Sequence, residues 1–202
     1  MANLAEIRKG LARRSTEPVV RLLAETAITP GTITWLGFGL ALGAAALIIT
    51  GHLIAAGVVV IIAGFFDILD GALARYTKRA SRFGAMLDST LDRLSEAVVL
   101  IGILVFYAGE QQLAPVLLAG IALPSSLLVS YTRARAEALG LECQVGFFTR
   151  TERVIVLALG LLLGQIPYVL VTALGIIAAL SLVTAGQRLF HVWQETKIKQ
   201  EK

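Results

Sequence analysis

"DILDGALARYTKRASRFGAMLDSTLDR", residues 67–93, places four aspartates, Asp67, Asp70, Asp88 and Asp92, in a chain that is apolar almost everywhere else. The run "IIAGFF" leads directly into Asp67, and "LSEAVVLIGILVF" begins two residues after Asp92. Both flanks read as helices. Helical spacing puts Asp67 and Asp70 on one face near the end of the first, and Asp88 and Asp92 on one face near the start of the second. Two helix ends therefore meet across a short basic loop. Ionisable groups at membrane depth are costly and face a bundle interior or a water-filled cavity, so four of them mark a functional place.

Outward from this stretch the chain reads as membrane. Of its 202 residues 56% are hydrophobic and 16% charged, with a mean hydropathy of +0.78, well beyond an ordinary soluble domain. About 20 helical residues cross a hydrocarbon core of about 30 Å, and suitable runs occupy roughly 33–50, 53–76, 84–108, 113–132, 151–165 and 168–190. The fifth is short, and a count of five follows if Gly164 and Pro167 only interrupt one long helix. Charge decides for six. The connections "GH", "GEQQ" and "GQIP" contain no Lys or Arg, and with six spans all 18 basic residues fall on the other side of the membrane. By the positive-inside rule both termini and the acidic stretch are then cytoplasmic, in a multi-pass protein of the plasma membrane.

Residues 1–30 form a separate unit. Leu4, Ile7, Leu11, Val19, Leu22 and Leu23 follow helical spacing, while Arg8, Lys9, Arg13, Arg14 and Arg21 supply positive charge. This pattern predicts an amphipathic helix lying in the interface against anionic lipid, ended by a turn at "TPGT", residues 29–32. The segment is too charged for a signal peptide. The expected fold is an all-α integral membrane protein, with this interfacial helix preceding a six-helix transmembrane domain over residues 31–202.

Composition also removes several classes of function. A lone cysteine, Cys143, excludes an internal disulfide, and His52 and His191 are isolated, so no zinc-type spacing exists. The net charge of +4 is mild and the basic residues hug the spans, which speaks against nucleic acid as a partner. What remains is the acidic stretch. Four nearby carboxylates repel one another unless a cation neutralises them, and hard oxygen ligands suit Mg²⁺ or Mn²⁺. Gly71 and Ala74 keep one helix face low, and Arg75 offers a fork for phosphate oxygens. Together these features predict a metal-assisted phosphate or pyrophosphate site.

The spacing Asp67-x2-Asp70-Gly71-x2-Ala74-Arg75-x8-Gly84-x3-Asp88-x3-Asp92 fixes eight positions over 26 residues, and it resembles the signature of the CDP-alcohol phosphotransferase family. The family's six-helix membrane architecture is similar to the span count above. The resemblance implies an enzyme in which a hydroxyl attacks the lipid-side phosphorus of a CDP-linked lipid and CMP leaves. It further implies that Asp67, Asp70 and Asp88 hold metal, with Asp92 as general base and ligand of a second ion. Gly31, Thr32, Ile33, Thr34, Asp67, Gly71, Ala74, Arg75 and Ser81 match positions that hold the CDP-lipid. Two Mg²⁺ ions, replaceable by Mn²⁺, and a homodimeric assembly are part of the same expectation.

The acceptor is read from a second polar island, "SYTRARAEALGLECQVGFFTRTER", residues 130–153. Arg133, Arg135, Arg150 and Arg153 lie in it, and Arg188 ends the last span on the same side. Several forks near a metal suit an acceptor that is itself a phosphate ester. "RARAEALGL", "GFFTRTER" and "GQRLFHVW" resemble the branch of the family that makes phosphatidylinositol phosphate or archaetidylinositol phosphate. Arg133 departs from that branch, where lysine is common, and so does Thr151, where proline or alanine often stands. The resemblance implies CDP-diacylglycerol or CDP-archaeol as donor and inositol phosphate as acceptor, with the five arginines around the acceptor. Glycerol 3-phosphate is the alternative acceptor. An Mg²⁺ channel or transporter is the alternative from another class, but a conduction path needs polar residues through the full depth, and spans one, four and six offer almost none.

Overall fold

The computed structural model describes residues 17–200, with side chains as far as Lys197. All regular structure among these residues is helical, a segment over residues 17–24 being followed by six long elements: α1 (Pro30–Ile49), α2 (Leu53–Tyr76), α3 (Arg82–Gly109), α4 (Leu113–Ala138), α5 (Arg150–Leu162) and α6 (Val169–Gln200). Their starts follow from local chemistry. Thr29 caps α1 by accepting from the Thr32 amide at 3.2 Å, and Pro30 occupies the first turn, where its missing N–H costs nothing and its fixed φ suits a helix. "TPGT" therefore begins a helix and is not the turn expected there. Ser81 caps α3 by accepting from the Gly84 amide at 2.9 Å. A capping box between Thr149 and Glu152 opens α5.

The apolar runs expected from sequence correspond to these helices with ends shifted by a few residues. The largest difference is at α6, which continues ten residues past 190 because nothing in "HVWQETKIKQ" breaks a helix; the Lys197 ammonium sits 4.1 Å from the centroid of the Trp193 ring. Length and composition identify α1, α2, α4 and α6 as helices able to cross a membrane, so the protein is multi-pass. The other two of the expected six differ in kind. α3 is 28 residues long but carries Asp88, Asp92, Arg93 and Glu96 between its second and fifth turns. α5 has 13 residues, about 20 Å of helix.

Of the expected N-terminal helix, residues 1–16 lie outside the described region. Residues 17–24 are helical, and their apolar side is not left to lipid alone. Val20 is buried with Ile33 of α1 and Leu69 and Leu73 of α2, flanked by Val19 and Leu23.

The principal helix contacts are α1 with α2 and α3, α2 with α5, α5 with α6, α6 with α4, and α4 with α3. They close a ring in the order α1, α2, α5, α6, α4, α3. The core of the ring is built from Ala41, Ala44, Ile48, Ala56, Val60, Leu100, Ile103, Leu157, Leu161 and Leu174, among others. Small residues let the helix axes approach closely. At Gly102 of α3 an added Cβ would lie 3.0 Å from the Ala45 Cα of α1. α3 and α5 face each other across the ring without forming a principal contact of their own, and the polar site lies between them.

Candidate active site

The last turns of α2, the first turns of α3 and the start of α5 supply the site. Asp67, Asp70 and Asp88 each offer a carboxylate oxygen within 4.8 Å of the others. Asp70 Oδ2 and Asp88 Oδ1 are buried and lack a hydrogen-bond partner. Unpaired buried carboxylate oxygens are expensive, and a hard divalent cation fits the donor set. The three converging oxygens thus have the chemistry of a metal site.

Asp92 lies beside that trio, within side-chain hydrogen-bonding reach of Asp67. Nη1 of Arg150, the first residue of α5, donates to Asp67 Oδ2 at 2.7 Å and lies 2.9 Å from Asp92 Oδ2. The guanidinium therefore links α2 to α3, and its charge compensates Asp67, a member of the trio, and Asp92 beside it. One turn further along both helices a second pair forms. Arg153 is buried, and its Nε and Nη2 fork onto Glu96 Oε1 and Oε2 at 2.5 and 2.8 Å. Asp92 and Glu96 are four residues apart on α3, and Arg150 and Arg153 three apart on α5, so two ionic rungs span the ring interior.

Two hollows adjoin the carboxylates. A cleft of about 470 Å³ is lined by Thr29, Pro30, Gly31, Thr34, Asp70, Gly71, Ala74, Arg75, Arg79, Ser81, Phe83, Gly84 and Asp88. This volume lies within the usual range for a small-molecule site. A smaller hollow, about 50 Å³, runs toward the ring core past Asp67, Asp92, Ser95, Glu96 and Arg150 to Phe38, Val60 and Val99. Gly71 keeps the cleft open: a Cβ there would lie 3.3 Å from Arg75 Nη1.

Most residues expected to hold the CDP-lipid line the cleft. Thr32 and Ile33 do not. The Thr32 hydroxyl lies 2.9 Å from that of Thr29, and Ile33 is buried against Val20, Leu69 and Leu73. Asp67 faces the smaller hollow. The hydroxyls of Thr34 and Ser81 also serve helix backbone, Thr34 donating to the Pro30 carbonyl at 3.1 Å and Ser81 accepting from Gly84.

The five arginines expected around the acceptor divide into three settings. Arg150 and Arg153 are placed as above. Arg133 and Arg135 are exposed on α4, Arg133 pairing with Glu137 at 2.8 Å. Arg188 is buried; it donates to the Val145 carbonyl at 3.0 Å and to the Val129 carbonyl, tying the α4–α5 connection to α4 and α6. It lies within electrostatic range of Arg133 and Arg153. Glu96 is the site residue that sequence reasoning missed. Its signal was present, since 88, 92 and 96 repeat at four-residue spacing on one helix face.

Comparison with known proteins agrees with this geometry. Residues 27–187 match the family described as CDP-alcohol phosphatidyltransferase. The chain is 42% identical over 187 residues to an archaetidylinositol phosphate synthase from Methanothermobacter thermautotrophicus, covering 92% of each chain. It is 37% identical over 200 residues to a phosphatidylinositol phosphate synthase from Mycobacterium tuberculosis, covering 96% of this chain and 92% of that one. The crystal structure of the Mycobacterium tuberculosis phosphatidylinositol phosphate synthase with CDP-DAG bound superposes with a TM-score of 0.83 at 37% identity, covering 89% of this chain and 94% of that one. A second crystal structure of that enzyme, in complex with manganese and citrate, has the same TM-score and identity, with 88% of each chain covered.

Proposed function

The chain belongs to the CDP-alcohol phosphatidyltransferase family, and from that premise we propose that it transfers the phosphatidyl or archaetidyl group of a CDP-linked lipid to inositol phosphate, releasing CMP. The observation that carries this reading is the trio Asp67, Asp70 and Asp88, of which Asp70 and Asp88 line the cleft together with Gly71 and Arg75. The donor is CDP-diacylglycerol or CDP-archaeol. Its head group occupies the cleft, with Arg75 on phosphate oxygens and Gly31, Thr34, Ala74 and Ser81 along the nucleotide; Thr32 and Ile33 support the first turn of α1 from behind. Its tails remain in the bilayer.

Asp67, Asp70 and Asp88 would hold Mg²⁺, or Mn²⁺ in its place, with Asp92 a ligand of a second ion, and the metal would supply neutralising charge for the pyrophosphate and the leaving CMP. Asp92 takes the proton from the acceptor hydroxyl, using the carboxylate oxygen that Arg150 leaves unengaged. The hydroxyl oxygen bonds to the lipid-side phosphorus, and the bond from that phosphorus to the bridging oxygen breaks, so CMP departs with that oxygen. Arg150 pairs with both Asp67 and Asp92 and orients them before substrate arrives. Arg133, Arg135, Arg150, Arg153 and Arg188 bind the acceptor phosphate; the electrostatic range of Arg188 to Arg133 and to Arg153 supports this grouping, since cations gather where an anion is received.

We assign the chain six membrane crossings over residues 31–202, with residues 1–30 lying along the interface. The active site and both termini face the cytoplasm of a plasma-membrane homodimer. One assay tests the reaction. Purified protein is given Mg²⁺ and either CDP-diacylglycerol or CDP-archaeol, and CMP release is followed with inositol phosphate, glycerol 3-phosphate, serine or free inositol, each with a chelator control. Release with inositol phosphate and chelator-sensitive turnover are expected. A response to glycerol 3-phosphate alone would overturn the acceptor, and silence with every donor and acceptor would overturn the enzyme.

A further inference from the structure

Glu96 is the one acidic residue facing the site for which the reaction above has no task. It is buried, and both of its carboxylate oxygens are spent on Arg153, which is 1% exposed. A buried ion pair adds little stability over apolar residues of similar size, so a helix staple alone is a weak reason for this one. The guanidinium also has an unfinished valence: Arg153 Nη1 is buried without a hydrogen-bond partner, and Arg150 Nε, one turn away on the same helix, is in the same condition. Orphaned donors on buried cations are rare and call for an acceptor from outside the chain. Glu96 lies one turn beyond Asp92 on the same face of α3, so whatever it orients is in register with the base.

We infer that Glu96 is a positioning residue that selects a phosphorylated acceptor: by holding Nε and Nη2 of Arg153 it fixes that guanidinium with Nη1 turned to the acceptor's phosphate monoester. The inference rests on the acceptor assignment above. Without Glu96 the guanidinium can rotate, and the donor edge that meets the phosphate loses its preset direction. The CDP-lipid cleft, lined by α1, α2 and the start of α3, is left alone because Glu96 does not border it.

The test separates positioning from stapling. Glu96→Gln, Glu96→Asp and the exchange Glu96→Arg with Arg153→Glu are assayed for CMP release against inositol phosphate and against CDP-lipid, with thermal unfolding measured alongside. The expected result for Glu96→Gln is an acceptor KM raised about tenfold or more, the range of one charge-assisted hydrogen bond, with the CDP-lipid KM within about twofold of wild type. Glu96→Asp, which keeps the charge on a shorter arm, raises the acceptor KM while the unfolding temperature stays near wild type. The exchange restores the unfolding temperature and leaves the acceptor KM raised. Recovery of both by the exchange, equal changes in the two KM values, or an unchanged acceptor KM in Glu96→Asp would overturn the inference while the wild-type activity stands. A wild type that ignores every phosphorylated acceptor removes the acceptor assignment and this inference with it.

Discussion

Asp92 and Asp67 share a single guanidinium nitrogen of Arg150, yet only Asp67 also belongs to the carboxylate trio. The proposed roles follow that difference, with Asp67 as a ligand and Asp92 as the base that also serves a second ion. Asp92→Asn is expected to lower kcat by at least about 100-fold, the scale of lost general-base catalysis, while equilibrium binding of CDP-lipid is retained; equal loss of binding would make Asp92 chiefly a metal ligand. Gly71→Ala places a methyl 3.3 Å from Arg75 Nη1, shifting the guanidinium by a few tenths of an ångström from the place where it is proposed to meet a phosphate. It should raise the CDP-lipid KM several-fold, roughly the effect of weakening one charge-assisted bond, with little change for the acceptor. The aspartates and Gly71 were legible in sequence because their spacing is local, contained in one loop and two helix turns. Glu96 showed only its four-residue spacing from Asp92; its pairing was hidden, because it sits inside an apolar run and its partner Arg153 is 57 residues away. A pairing over that distance exists only once α3 and α5 face each other. The settings of Arg133 and Arg188 were hidden for the same reason: one is exposed on α4, while the other is bound to carbonyls of two distant segments.

At the scale of helices, apolar runs and breakers gave away six elements, since each run is bounded by a Gly, Pro or charged cluster. The ends depended on finer chemistry. "TPGT" reads as a turn if Pro30 and Gly31 are weighed alone, but Thr29 accepting from Thr32 turns the same four residues into a helix start. α6 outran its apolar run because helix propensity and the Lys197–Trp193 contact continue after hydrophobicity stops. How closely helices pack was the least legible feature, since small residues appear in sequence without their partners. Gly102 meets the backbone of α1 at Ala45: a methyl group at position 102 would lie 3.0 Å from the Ala45 Cα and 3.1 Å from its carbonyl oxygen, and backbone cannot move aside as a side-chain tip can. Gly102→Ala should therefore destabilise the bundle by about 1–3 kcal/mol, the usual cost of overpacking, seen as a lower unfolding temperature in detergent.

For the whole molecule, hydropathy predicted membrane crossing and charge predicted sidedness, whereas the ring order α1, α2, α5, α6, α4, α3 had no counterpart in the linear pattern. That order depends on which faces meet, and faces that all look apolar do not announce their partners. Reporter fusions after Gly109 and after Lys202 check sidedness: the first is expected to report the outside and the second the cytoplasm, and matching reports would remove one crossing. The brevity of α5 reaches further than sidedness. Its 13 residues span about 20 Å, against a hydrocarbon core of about 30 Å, and its first turn carries both arginines of the two ionic rungs. Any thickening of the surrounding bilayer must be absorbed by tilt, by local thinning or by shifting this helix along its axis. With α5 as one of the six proposed crossings, turnover in vesicles is expected to decline as the host lipids lengthen, which would make the enzyme a gauge of the thickness of the membrane whose lipids it helps to make.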